Sequence, residues 1–131
     1  LFMKKLSHQL GLFVMVGVCA SIVHWLVVVA LVSQAHWAPL VANIIGWLVA
    51  FVVSFTGHYQ LTFRSQHAGL GKSLPRFFLI SAFGFLINEA SYAIALRNTD
   101  LPYELLLGVI LIGVAILTFI FSRLWAFAAR R

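Results

Sequence analysis

Four apolar stretches limit what this chain can fold into. They run near Leu10–Val32, Pro39–Tyr59, Phe77–Leu96 and Tyr103–Phe127. Each reaches the roughly 20 residues a helix needs to cross a hydrocarbon core. Inside hydrocarbon every backbone N–H and C=O must be satisfied locally, so runs of this length imply helices. Composition agrees: 63% of residues are hydrophobic and 9% are charged, where a soluble domain carries roughly 25% charge. Mean hydropathy is +1.03. The sequence therefore predicts an all-α integral membrane protein, one domain over residues 1–131 with four transmembrane helices.

The breaks between the stretches are "SQAHWA", "RSQHAGLGKSLPR" and "RNTDLP". Pro39, Pro75 and Pro102 suit first turns of helices, where the missing N–H costs nothing. The chain thus divides into two helical hairpins joined by a linker at 64–76. Lys4 and Lys5 precede the first stretch in the manner of a signal peptide. The run continues to Val32, too long for such a region, and no small-residue cleavage site closes it. It is expected to remain as the first helix.

Lysine and arginine set the orientation. Lys4, Lys5, Arg64, Lys72, Arg76, Arg123, Arg130 and Arg131 all fall on one side, and Arg97 alone falls on the other. This asymmetry predicts that both termini and the linker are cytoplasmic. The net charge of +6 sits at the ends of apolar runs, which fits lipid headgroups and not nucleic acid. The single cysteine, Cys19, excludes an intrachain disulfide. There is no metal-ligand cluster, nucleophile motif or phosphate-binding glycine loop. Neither catalysis nor a cofactor is expected.

Sliding the second half over the first by 64 residues aligns Phe13 with Phe77, Gly17 with Ser81, Ala20 with Gly84, Phe55 with Phe119 and Phe63 with Phe127. Internal repeats are a recurring construction in transporters. Two spans per half make this repeat a parallel one.

The segments "FVMVG", "RFFLIS" and "TFIFSRLWAF" carry a resemblance to a known family. The chain resembles GtrA-like proteins, whose pattern opens on Arg-Phe with Val-Gly nearby and closes each hairpin with Asn-Phe-x-x-Asn-Arg-x-Trp-x-Phe or a variant. Arg76–Phe77, Val16–Gly17, Phe119, Ser122, Arg123, Trp125 and Phe127 follow that pattern. The first copy departs from it, with Ser54, His58, Tyr59 and Leu61 at the positions of Asn, Asn, Arg and Trp. The resemblance implies a four-helix protein of the bacterial cytoplasmic membrane. It also implies a role in moving a polyprenyl-phosphate-linked sugar for envelope polysaccharide, or in assisting a glycosyltransferase that uses one.

Polar residues within the spans fall into two belts. His24 and Glu89 lie about 20 Å from the basic side at 1.5 Å per residue, with Asn88 beside Glu89 and Asn43 roughly 6 Å in from the opposite side. An intramembrane carboxylate is a functional candidate that also needs a partner or a watery pocket. The expected roles of Glu89, Asn88, His24 and Asn43 are sugar binding or coupling, with helix-to-helix bonding as the structural alternative. The second belt, near the basic side, contains His58, Tyr59, Arg64, Lys72, Arg76 and Arg123; His58 and Tyr59 are expected to share in sugar binding or coupling. Arg123 is the foremost phosphate candidate, because a planar guanidinium grips phosphate with two bonds; simple snorkelling to headgroups is the alternative. Arg76, Arg64 and Lys72 follow it, with Trp125 as an interfacial anchor. His67 is expected to be solvated in the linker.

Ala42, Gly46, Ala50 and Ser54 form a smooth stripe for close helix packing, within the chain or in a homodimer. Lipid-linked sugar translocation is the expected function. A recruiting subunit for a glycosyltransferase is the alternative. A proton-coupled exporter of small cations is disfavoured by the basic side.

Overall fold

The computed structural model describes residues 2–62, 64 and 69–126. Phe63, His67, Phe127, Arg130 and Arg131, which the sequence reading mentions, lie outside them. The described chain is all helical. α1 spans Phe2–Ser33 and α2 spans Pro39–Gly57, continued by a π-helical turn, π1, at His58–Thr62. α3 spans Leu70–Asn98 and α4 spans Tyr103–Phe121, continued by a second π-helical turn, π2, at Ser122–Ala126. Four helices are long and apolar enough to cross a membrane.

Helix ends follow local chemistry. Pro39 starts α2, as expected from its preset φ. His36 takes a positive φ of 59° in the turn before it, and Trp37 N–H closes that turn on the Leu31 carbonyl at 3.0 Å. Gly69 enters α3 at φ 95°, a conformation open to glycine at little cost. α1 and α3 begin well ahead of the expected Leu10 and Phe77. Pro75 consequently lies inside α3, not in its first turn. Hydropathy marks where a helix is apolar, whereas i→i−4 bonding continues into polar sequence.

The buried faces of α1 and α3 coincide residue for residue at the offset of 64. On α1 they are Gln9, Phe13, Val16, Ala20, His24 and Val28; on α3 they are Ser73, Phe77, Ile80, Gly84, Asn88 and Tyr92. The element limits Pro39–Gly57 and Tyr103–Phe121 follow the same offset, as do π1 and π2. α1 packs along α2, α3 along α4, and α2–α3 and α1–α4 contacts close the bundle.

Small residues set the first hairpin's spacing. A Cβ on Gly46 would stand 2.7 Å from the His24 ring, and one on Gly57 would stand 2.6 Å from Val16. Two apolar clusters hold the interior. Phe13, Phe55, Phe77 and Ile80 pack toward the end carrying Lys4, Lys72 and Arg76, called here the basic end. Val28, Ala42, Tyr92 and Leu107 pack toward the far end. The outer faces are apolar, with Leu86, Ile112 and Leu124 well exposed, while His24, Asn43, His58 and Asn88 are buried. Such a distribution suits hydrocarbon as solvent. α4 is the least enclosed of the four helices.

Candidate functional site

The polar side chains form two groups, one beside the far cluster and one at the basic end. In the first, Asn43 is the hub. Its Nδ2 donates to Asn88 Oδ1 at 2.9 Å and to Glu89 Oε1 at 3.2 Å. Both amide hydrogens are thereby used, so its Oδ1 is the acceptor facing His24 Nε2 at 2.7 Å. His24 therefore carries a proton on Nε2, a tautomer assigned from the network. α1, α2 and α3 each supply a member. The link between His24 and Glu89 runs through Asn43 and is not a direct ion pair. Glu89 is partly exposed, while the other three are buried. A carboxylate accepts several hydrogen bonds, so Glu89 retains acceptor capacity toward a hydroxyl-rich ligand.

Tryptophans brace the helices around this group. Trp25 Nε1 donates to the Glu104 carbonyl at 3.1 Å, and Trp47 Nε1 donates to Ser81 Oγ at 2.7 Å. Trp47 also stacks on Phe85 at 4.7 Å. These bonds tie α1 to α4 and α2 to α3, and so fix the rotation that turns Asn43 inward.

At the basic end the expected belt splits. Arg123 Nε donates to Gln9 Oε1 at 2.7 Å. Its two Nη groups form no hydrogen bond among the described residues, which leaves the end-on fork available for two parallel bonds to an oxyanion. Arg76 lies against π2, with Nη1 3.4 Å from the Trp125 carbonyl and the guanidinium 5.7 Å from the Trp125 ring. Arg64 and Lys72 are exposed. They add positive potential at the basic end.

His58 and Tyr59, expected to share in sugar binding or coupling, lie at the basic end against the aromatic cluster. The His58 ring is buried, stacked on Phe13 at 4.5 Å, and its Nδ1 shares a 3.0 Å hydrogen bond with Thr62 Oγ1. Tyr59 is partly buried against Phe55, with ring centroids 5.6 Å apart. Both belong to the wall of the aromatic cluster. Rotation of the helix, which hydropathy does not encode, puts them there.

Gln9 is the residue that sequence reasoning missed. It accepts from Arg123 with Oε1 while its Nε2 donates to the Thr62 carbonyl at 3.3 Å. One side chain thus links α1 to the ends of both hairpins. Its signal was the offset of 64, which places it over Ser73 on the buried stripe.

A lateral groove of about 660 Å³ lies between α1 and α4. Its walls run from Leu10 to Leu26 on α1 and from Gly108 to Phe119 on α4. One end thus begins beside Gln9, the partner of Arg123, and the other reaches Trp25. At 1.5 Å per residue the α1 wall is about 24 Å long.

Compared with known proteins, residues 12–127 match the family model described as GtrA/DPMS, transmembrane domain. No curated protein and no solved structure matches the chain.

Proposed function

The chain belongs to the GtrA/DPMS transmembrane-domain family, and from that premise we propose that it translocates a polyprenyl-phosphate-linked sugar across the bacterial cytoplasmic membrane. The observation that carries this reading is the order of groups with depth from the basic end. A guanidinium whose Nη groups make no hydrogen bond among the described residues lies at that end, an apolar groove runs from there between α1 and α4, and a hydrogen-bonded carboxylate and amides of α2 and α3 lie deeper in the bundle. A cargo with a phosphate, an isoprenoid chain and a hydroxyl-rich sugar has matching parts. In this proposal Arg123 receives the phosphate, with Arg76, Arg64 and Lys72 attracting it and Trp125 holding the rim. Glu89, the partly exposed member of the network, receives the sugar hydroxyls, and Asn43, backed by His24 and Asn88, holds it in place. His58 and Tyr59 shape the wall and touch no cargo.

The proposal includes cytoplasmic termini and an origin by tandem duplication. Charge asymmetry supports the first, and the coincident buried stripes of α1 and α3 support the second. In a Cys19→Ser background, Ala35→Cys should react with an impermeant thiol reagent added outside and Gly71→Cys should not. The reverse pattern would overturn the orientation.

The deciding experiment is transport of a fluorescent polyprenyl-phosphate sugar in proteoliposomes. Wild-type protein should move it faster than protein-free vesicles do. Glu89→Gln, which can still accept from Asn43, should stay folded and lose most of the rate. A wild-type rate equal to that of empty vesicles would defeat the flippase reading.

A further inference from the structure

Among the described residues, two buried side-chain polar atoms have no hydrogen-bond partner: the hydroxyls of Ser73 and Ser122. Both serines are 0% exposed. Elsewhere in the interior the large polar side chains are paired, so this is a departure from the molecule's own rule. A buried hydroxyl without a partner costs on the order of 1–3 kcal/mol. Nor does either serine bond back to the preceding helical turn, as Thr118 does to the Val114 carbonyl at 2.9 Å.

Their positions are as telling as their lack of partners. At the offset of 64, Ser73 stands where the first half has Gln9 and Ser122 stands where it has His58. In the first half those positions are filled by longer side chains bonded to Thr62. In the second half the side chains are short and their donors are unused. Ser122 immediately precedes Arg123, inside the π-turn whose carbonyl Arg76 also reaches. Ser73 lies on the stripe of α3 with Phe77, and α3 packs against π2. π-turns of this kind are frequent at functional sites, since the extra residue widens the helix.

We infer that Ser122 and Ser73, with the Nη groups of Arg123, form an oxyanion site at the second hairpin end, which takes the phosphoryl oxygens of a lipid-borne phosphate. This deepens the proposed function and rests on it. Two neutral hydroxyl donors and one guanidinium supply directed bonds without further buried positive charge, which would need pairing. Gln9 holds Arg123 at Nε, so a phosphate can engage the Nη fork before that contact breaks. Ser122 lies deeper than the exposed rim, and it takes over oxygens as the headgroup leaves water.

The test is equilibrium binding of a polyprenyl monophosphate to the purified full chain in detergent, with the parent polyprenol and inorganic phosphate as separate probes. Wild type should prefer the phosphate lipid to the alcohol. Ser122→Ala should weaken binding of the phosphate lipid about tenfold, the size expected for a hydrogen bond to a charged group, and leave polyprenol binding unchanged. Ser73→Ala should act in the same direction. Neither variant should lower the melting temperature of the unliganded protein, because each removes a hydroxyl that has no partner. Ser122→Cys, nearly the same size with a weak donor, guards against a packing artefact and should also lose affinity. If wild type prefers the phosphate lipid while all three variants bind it equally well, the serine site is wrong and the proposed function stands. If wild type treats lipid phosphate and alcohol alike, both fail. Displacement by inorganic phosphate as effective as by the lipid would overturn the assignment to a lipid-borne group.

Discussion

π1 and π2 terminate their hairpins at equivalent positions, yet their polar groups are used in different ways. In π1 the His58 ring lies flat on Phe13 and its Nδ1 is bonded to Thr62, and Gln9 reaches across to the Thr62 carbonyl. In π2 the same backbone geometry carries Ser122 and Arg123, which among the described residues are a hydroxyl without a partner and a guanidinium held at Nε. A glycine at position 57 locks the first end against Val16; its counterpart, Phe121, is half exposed. The difference teaches that the shared backbone is scaffold and that one end has been closed with side chains while the other keeps its donors. The proposed phosphate site accordingly falls at the second end alone, where donors are left over.

The largest expected effect tests whether the first half is the structural one. Asn43 has Leu107 as its counterpart, and Leu107 is fully buried. Asn43→Leu should cost about 3 kcal/mol, because His24 and Asn88 each lose their partner in an apolar interior. Thermal unfolding in one detergent would measure it. A melting temperature equal to wild type would mean that the network is dispensable to the fold.

Next comes the glycine lock. Gly57→Ala pushes a methyl into the Val16 side chain and should cost about 2 kcal/mol, whereas Phe121→Ala should cost less than half as much. Equal losses in the two variants would erase the contrast between a sealed and an open end.

Binding provides a finer probe. Arg123→Lys keeps the charge and loses the planar fork, so affinity for a polyprenyl phosphate should fall about tenfold, while Tyr59→Phe at the equivalent site should bind as wild type does. If the lysine variant binds equally well, Arg123 is an interface anchor only. The smallest effect is Gly108→Ala. A Cβ there meets nothing within 4 Å, so the gain in helix propensity should show as up to about 1 kcal/mol of added stability. A loss would mean that the groove wall is filled in the membrane-like state.

The spans were legible because apolar runs are read one residue at a time. Their ends were less so: Gln9 and Ser73 lie ahead of the hydrophobic runs, yet inside helices, and were passed over for that reason. Depth arithmetic placed His24 level with Glu89, and the structure brings both to Asn43. That Asn43 stands between them depends on how α2 is rotated, which Trp47 and Gly46 settle through contacts with other helices. His58 shows the same limit. Its position continues the buried face through Ala50 and Phe55, a register that its place in a polar belt does not reveal. Ser122 was marked only as part of "TFIFSRLWAF", and Ser73 had no sequence signal beyond its register with Gln9.

The groove between α1 and α4 places a condition on any tail that lies in it. It opens sideways, so in a bilayer it never stands empty: ordinary acyl chains solvate it. Lipid tails are as apolar as leucine, and no net hydrophobic gain comes from exchanging one hydrocarbon for another. Selection of a tail there is consequently a difference between two fillings, decided by how a chain with regular methyl branches fits against Gly17, Gly108 and Ala115 compared with a straight one. Recognition of the tail would then change with the host lipid even when no residue of the protein does.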